Sequence, residues 1–215
     1  MSNIECPPSF SFHVKADDQD EHTVPAPVLV QILENAQREA ARVVTGELKS
    51  IDFAERKVTI IYPPTNKEPA CIYDEEVEDM LYERGRDLIQ VTGRVLLDDQ
   101  GDPTQIIDVT DIRDLNLCSL DIHTVRHRAM VLKAVPALSL EPRMDETSQL
   151  LCVEHGELAL DVFAPTREAL LAELSEQIAM LWTEYALAED DTLDAVARKL
   201  KHSLLATFTD LRDAA

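Results

Sequence analysis

The stretch that most limits how this chain can fold is LIQVTGRVLLDDQGDPTQIIDVTDI, residues 88–112. Apolar side chains alternate along both arms, and the polar turn DDQGDP separates them, so the pattern predicts two paired strands with one apolar face. Gly93 interrupts the first arm, and Gly46 sits inside an earlier run, TGELKSIDF. Glycines inside strand patterns mark the bends or bulges that a small closed sheet needs.

The residues before this hairpin extend the pattern. TGELKSIDF leads through AERK to VTIIYPP, and past the polar TNKEPA to CIYD. EEVEDMLYERG then predicts a short helix, with Val77, Leu81 and Met80 as inward candidates and acids in its first turn, where they favour the helix dipole. Residues 45–115 thus order themselves as three strands, a helix and two strands. This resembles the oligonucleotide/oligosaccharide-binding (OB) fold, a five-stranded barrel. The resemblance implies a ligand face on the second and third strands, where Tyr62 and Tyr73 are the stacking candidates and Lys57, Lys67 and Arg94 the nearby cations.

Charge opposes that ligand. The chain of 215 residues carries a formal net charge of -21. Residues 1–44 contribute -4, residues 45–115 contribute -9 and residues 116–215 contribute -8, so the acidity belongs to the whole body rather than to a tail. Such a surface repels nucleic acid and anionic lipid at long range and either speeds encounter with a basic protein or serves solubility alone, with no partner implied. With hydrophobic residues at 45%, the chain has the means to bury a core.

On either side of the barrel region the reading is coarser. Phe10, Phe12 and Val14 predict a short strand. After Pro25 and Pro27, the spacing of Leu29, Ile32, Leu33, Ala36, Ala40 and Val43 predicts a helix whose apolar stripe covers the barrel end or serves an oligomer interface. Residues 116–141 have β character broken by Pro136. QLLCVEH and ELALDVF flank Gly156 as a hairpin. Thr166 caps a helix through about Ala188, striped by Leu170, Leu174, Ile178, Leu181 and Tyr185 and widened by Leu171, Ala179 and Trp182. A second helix from Leu193 carries Val196, Leu200, Leu204, Phe208 and Leu211, and the two are expected to form an antiparallel αα-hairpin. The fold class expected is α+β: an amino-terminal strand and helix (1–44), an OB-like five-stranded β-barrel module (45–115), then a β-hairpin and a two-helix module (116–215). Within the last, residues 157–178, ELALDVFAPTREALLAELSEQI, resemble the strand-turn-helix of HicB-type antitoxins.

Catalytic and metal chemistry find little support. Cys118, His123 and His127 are close in sequence, but a closed zinc site needs four ligands, and Cys6, Cys71 and Cys152 lie at no finger-like spacing. The carboxylate runs at 74–79 and 98–102 read as a helix start and a hairpin turn. No phosphate loop, nucleophile elbow or catalytic-cysteine signature occurs, so no enzyme, cofactor or metal is expected. Arg198, Lys199, Lys201 and His202 form a basic cluster that pairs with neighbouring acids or offers a small docking patch. No apolar run approaches the roughly 18–20 residues that span a bilayer, and MSNIECPPSF lacks the layout of a signal peptide, so a cytoplasmic location and no membrane partner are expected. The leading expectation is a non-catalytic acidic protein-interaction module of antitoxin, immunity or adaptor type. It would bind a basic protein through Tyr62, Tyr73, Glu75, Glu76 and Asp79. The alternative is a barrel that binds single-stranded nucleic acid through the same tyrosines.

Overall fold

The computed structural model describes residues 11–15, 21–25, 41–78, 81 and 88–211, the side chains of residues 11–15, 21–25 and 76 excepted. Strands β1 (Ser11–Lys15) and β2 (Glu21–Pro25) pair antiparallel. Pro25, expected at the opening of a helix, is the last residue of β2. Most of the expected helix, residues 26–40, lies outside the described residues. Its last residues do not: Val43 and Val44 belong to β3 (Ala41–Asp52), where the β-branched run Val43-Val44-Thr45 favours the extended chain.

Five strands close into a barrel in the order β3-β4-β5-β7-β6, with β4 at Lys57–Ile61, β5 at Ala70–Tyr73, β6 at Leu88–Leu97 and β7 at Pro103–Asp114. Neighbours run antiparallel except β5 and β7, which are parallel. The short helix α1 (Glu75–Glu78) follows β5 and places Val77 in the core. Alternation turns Ile89, Val91 and Val95 inward from β6 and Ile106 and Ile112 inward from β7, and Val109 joins them through the register shift opposite Gly93, where Asp108 takes φ 50°; all face Val58, Ile60 and Cys71. Each fully buried aliphatic side chain of this kind contributes about 1.5–3 kcal/mol.

Gly93 is required by close approach. A Cβ there would lie 2.8 Å from both Ile106 Cγ2 and the Ile107 carbonyl oxygen. At Gly46 it would lie 2.8 Å from Ile60 Cδ1 and the Ile61 carbonyl. The turn between β6 and β7 is organised by Asp98, whose Oδ1 accepts the N–H groups of Gln100 (2.9 Å) and Asp102 (3.0 Å). Gly101 supplies the left-handed residue at φ +88°.

The carboxyl-terminal half has its own core. Strands β8 (Leu120–His127) and β9 (Met130–Leu140) form a hairpin, and the sequence around Pro136 is a wide bulge in β9 between the pairs Ile122–Leu138 and Thr124–Lys133. A second sheet joins β10 (Arg143–Met144), β11 (Leu151–His155) and β12 (Leu160–Ala164). The turn between β11 and β12 is a short 3-10 segment at Gly156–Leu158, and its left-handed residue is Ala159, φ 51°, not the glycine. Helix α2 (Arg167–Leu181) is capped by Thr166, whose Oγ1 accepts the Ala169 N–H at 3.1 Å. It packs on β12 and β8 and buries Leu170, Leu174, Ile178 and Leu181, while Leu171 faces solvent. A widened π turn, Trp182–Ala186, extends it and buries Trp182.

Helix α3 (Ala195–Thr207) packs chiefly on that turn, and also meets the Gly156 segment and β9. Of its expected stripe, Leu204 is buried and Leu200 half-buried. Val196 is exposed, and Phe208 starts a strand, β13 (Phe208–Asp210), that adds to β9.

Polar contacts join the halves. Thr45 lies on β3 beyond the end of β4, and the Gln149 carboxamide takes the place of a neighbouring strand. Its Oε1 accepts the Thr45 N–H at 3.2 Å, and its Nε2 donates to the Thr45 carbonyl at 2.8 Å. Gln90, 3% exposed, donates to the Pro165 carbonyl at 2.6 Å. Arg113 reaches Glu168 at 2.9 Å.

Candidate functional site

The two tyrosines expected to form a binding face are not equivalent. Tyr62 follows β4, is half-buried against the barrel core and bridges to Lys67 in an isolated antiparallel pair. Burial, and then the negative charges of Asp102 and Asp145, push its hydroxyl above the ordinary tyrosine range. Tyr73 at the end of β5 is 2% exposed and part of the core. It offers no ring face to a base or a partner, which corrects its place in the expected site. Strand alternation explains this: Cys71 and Tyr73 share the inward face and Ile72 points out, 46% exposed.

Glu75 opens α1 and pairs with Arg56 at 2.7 Å, with its own side chain largely in solvent. Glu78 approaches the same guanidinium at 3.8 Å. Glu76 is placed in α1 by its backbone, and Asp79 lies outside the described residues. Glu75 is therefore a surface carboxylate at the end of the barrel, next to the turn that joins β3 to β4.

The barrel's cations are mostly committed to acids. Lys49 pairs with Glu68, Arg94 with Asp108 at 3.0 Å, and Arg113 with Asp111 as well as Glu168. Lys67 is held by Asp98 and, at 2.8 Å, by Asp102. Hydrogen bonding from Lys67 and from backbone N–H groups lowers the Asp98 carboxyl to about 2. The exposed Lys57 has no carboxylate partner among the described residues. Near the two tyrosines, the lysine and arginine charge available to attract phosphate is thus largely neutralised.

Cys118 is exposed ahead of β8, His123 is exposed within that strand and His127 ends it. Among the described residues, no three His, Cys, Asp or Glu side chains converge on a metal-sized site. Arg167 instead uses its guanidinium to hold the carbonyls of Cys118 and, at 2.9 Å, Ser119. Burial pushes the Cys71 thiol up to about 12, which leaves it an inert core group. No described helix is long and apolar enough to cross a membrane.

A groove of about 920 Å³ lies between the Gly156 turn and the start of α3. Sequence reasoning described no groove here and named its Lys199 only within a basic cluster, because the walls come from residues 154–159 and 185–200, which no local pattern ties together. The one available signal was Val196, a valine on the α3 stripe too near the helix start to reach the core. No protein-family model matches the chain, and neither does any curated protein or solved structure.

Proposed function

We propose that this chain is a non-catalytic interaction protein that binds a basic protein surface, in the manner of an antitoxin, immunity or adaptor protein, on a scaffold of the OB type. The scaffold reading is supported by strand order. In the barrel the first three strands lie side by side, the fifth follows the third in parallel, and the fourth closes onto the first, with α1 between the third and fourth.

The observation that carries the function is the neutralisation of Lys49, Arg56, Lys67, Arg94 and Arg113 by carboxylates on a module already in negative excess. A surface of this kind has acids to spare for a cationic partner and few free cations for phosphate. Complementary fields act more on association rate than on final affinity, so an apolar anchor is also needed. On the barrel, the exposed Phe53, Ile72, Leu96 and Leu97 and the partly open Tyr62 are among the groups that could supply one.

The test is stopped-flow association with the basic protein recovered from the native cell, at low and high salt, using the parent chain and charge reversals at Glu75, Glu76 and Asp79. The rate is expected to fall with salt and with each reversal. A rate indifferent to both would remove the electrostatic reading. Tight, salt-sensitive binding to single-stranded oligonucleotides would replace it with the nucleic-acid alternative.

A further inference from the structure

The structure assigns a second contact surface to the carboxyl-terminal half. We propose that the groove between the Gly156 turn and α3 docks a partner segment carrying an apolar side chain between lysine or arginine residues. This rests on the reading of the chain as a binder of basic proteins, and it names the surface and the chemistry of the occupant.

Apolar groups form part of the lining. Tyr185, Val196, Ala197 and Leu200 all border the groove. Val196 is 78% exposed although it stands on the first turn of a well-capped helix. A β-branched residue there gains nothing from burial within the chain and is a modest helix former. Covered by a partner, it becomes an anchor.

The charges around this lining select the occupant. Glu154, Glu157 and Asp194 also border the groove. Glu154 is held by Arg143, and Asp194 caps α3 through the Ala197 N–H at 2.8 Å. Glu157 has no cationic partner among the described residues, and beside α3 the charges of Arg198 and His202 act on Asp190. Lys199 is the cation on the lining, and Lys201 is occupied by Asp190 and the Ala188 carbonyl, each at 2.6 Å. A wholly apolar occupant would strip water from these carboxylates without replacing it. An acidic occupant, a second copy of this chain included, would be repelled. An apolar residue flanked by cations satisfies both lining and rim.

The walls are set before binding. His155 Nδ1 accepts the Leu158 N–H at 3.3 Å, and Ala159 is held at φ 51°, a conformation an alanine adopts only when its surroundings impose it. Preorganised walls of this kind reduce the ordering cost of association.

The probe is a synthetic amphipathic peptide of leucine and lysine, with a control in which serine replaces leucine at equal charge. Both are titrated into the full chain by calorimetry and by amide chemical-shift mapping. Two variants add the same charge at exposed helical positions, Val196→Lys in the groove and Ala172→Lys on the outer face of α2. The expected result is shifts at Gly156, Ala159, Val196 and Ala197, with affinity falling at least about tenfold for Val196→Lys and for the serine peptide, and by less than about threefold for Ala172→Lys.

Equal losses in the two variants, or equal binding of the two peptides, would mean that the general field does the binding. The groove assignment would then fall while the basic-partner reading stood. Failure of the parent chain to bind either peptide would overturn both. Should Val196→Lys disturb the fold, shift mapping on the parent decides, and shifts absent from the groove would overturn the assignment.

Discussion

The barrel core and the carboxyl-terminal core bury similar kinds of side chain, yet they are closed in different ways. Around Ile60, Ile89, Ile106 and Ile112 the wall is one sheet hydrogen-bonded onto itself, so strand alternation separates inside from outside except at register shifts such as those after Leu48 and opposite Gly93. Around Leu132, Leu151, Leu170 and Leu174 two open three-stranded sheets are covered by α2, and the last strand, β13, arrives only after α3. A closed sheet has no edges to protect. Open sheets make the second core depend on helix docking and on contacts distant in sequence.

The largest expected effect tests whether these are two cores or one. Leu174 and Ile106 are both fully buried, and truncating either to alanine is expected to cost about 2–5 kcal/mol. The chain has one tryptophan, Trp182, buried in the second core, so its fluorescence reports that half by itself. Leu174→Ala should move the fluorescence transition in urea by the full amount. Ile106→Ala should move the far-ultraviolet circular dichroism transition fully and the Trp182 transition by less than half. Coincident shifts for both variants would break the comparison and show one cooperative unit.

Two glycines sharpen it next. Gly93→Ala puts a methyl group 2.8 Å from backbone and side chain in the barrel, and it is expected to destabilise by about 1–3 kcal/mol. Gly156→Ala places its methyl in open space, and the expected change is within about 0.5 kcal/mol. Thermal melts of the two variants measure the difference. A barrel that accepts alanine at 93 without loss would show that β6 and β7 can move apart.

The seam comes third. Gln149→Leu keeps the bulk but leaves the Thr45 N–H and carbonyl without the carboxamide that bonds both. The expected cost is about 1–3 kcal/mol. The Trp182 transition and the circular dichroism transition should also move further apart, because the polar contacts joining the halves are few. Transitions that stay as they were would place the coupling elsewhere, in Gln90 or Arg113.

The same contrast explains what could be read in the sequence. The 88–97 strand was legible to the residue, because Ile89, Val91 and Val95 alternate and Gly93 keeps the same phase. The stretch 116–141 was not, because β9 departs from its partner in a wide bulge at Pro136, and that break hides the period of two. Residues 41–44 were misread as the end of a helix, since Ala36, Ala40 and Val43 fit a helical period while Ala41–Val44 in fact open β3. At the candidate site, acidity was plain from composition and Glu75 fell on the surface as expected. The inward phase of Tyr73 was available from its alternation with Ile72, whereas the pairing of each barrel cation and the groove beside Val196 depend on tertiary contacts that no local pattern encodes.

The smallest effect compares the ion pairs of the two halves, Asp98 with Lys67 in the barrel and Asp190 with Lys201 beside α3. Both carboxyls are held below the ordinary range, Asp98 at about 2. A carboxyl with a depressed folded-state pKa adds stability that is fully present above its unfolded value, about 4, and is lost as pH falls through its folded value. The Asp98 contribution should therefore persist at pH 5 and fade between about pH 4 and 2. Because both groups are open to solvent, salt should shrink the effect. Asp98 also anchors its turn through backbone N–H groups, which a carboxamide oxygen at the same position can still accept. Asp98→Asn is thus expected to keep the hairpin and flatten the acid limb of a stability–pH profile, and Asp190→Asn to flatten it less. Urea melts at unit pH steps from 5 to 2, at low and high salt, measure this. An acid limb of unchanged slope in Asp98→Asn would show that the Lys67 pair adds nothing to stability, and that the turn is held by its backbone bonds.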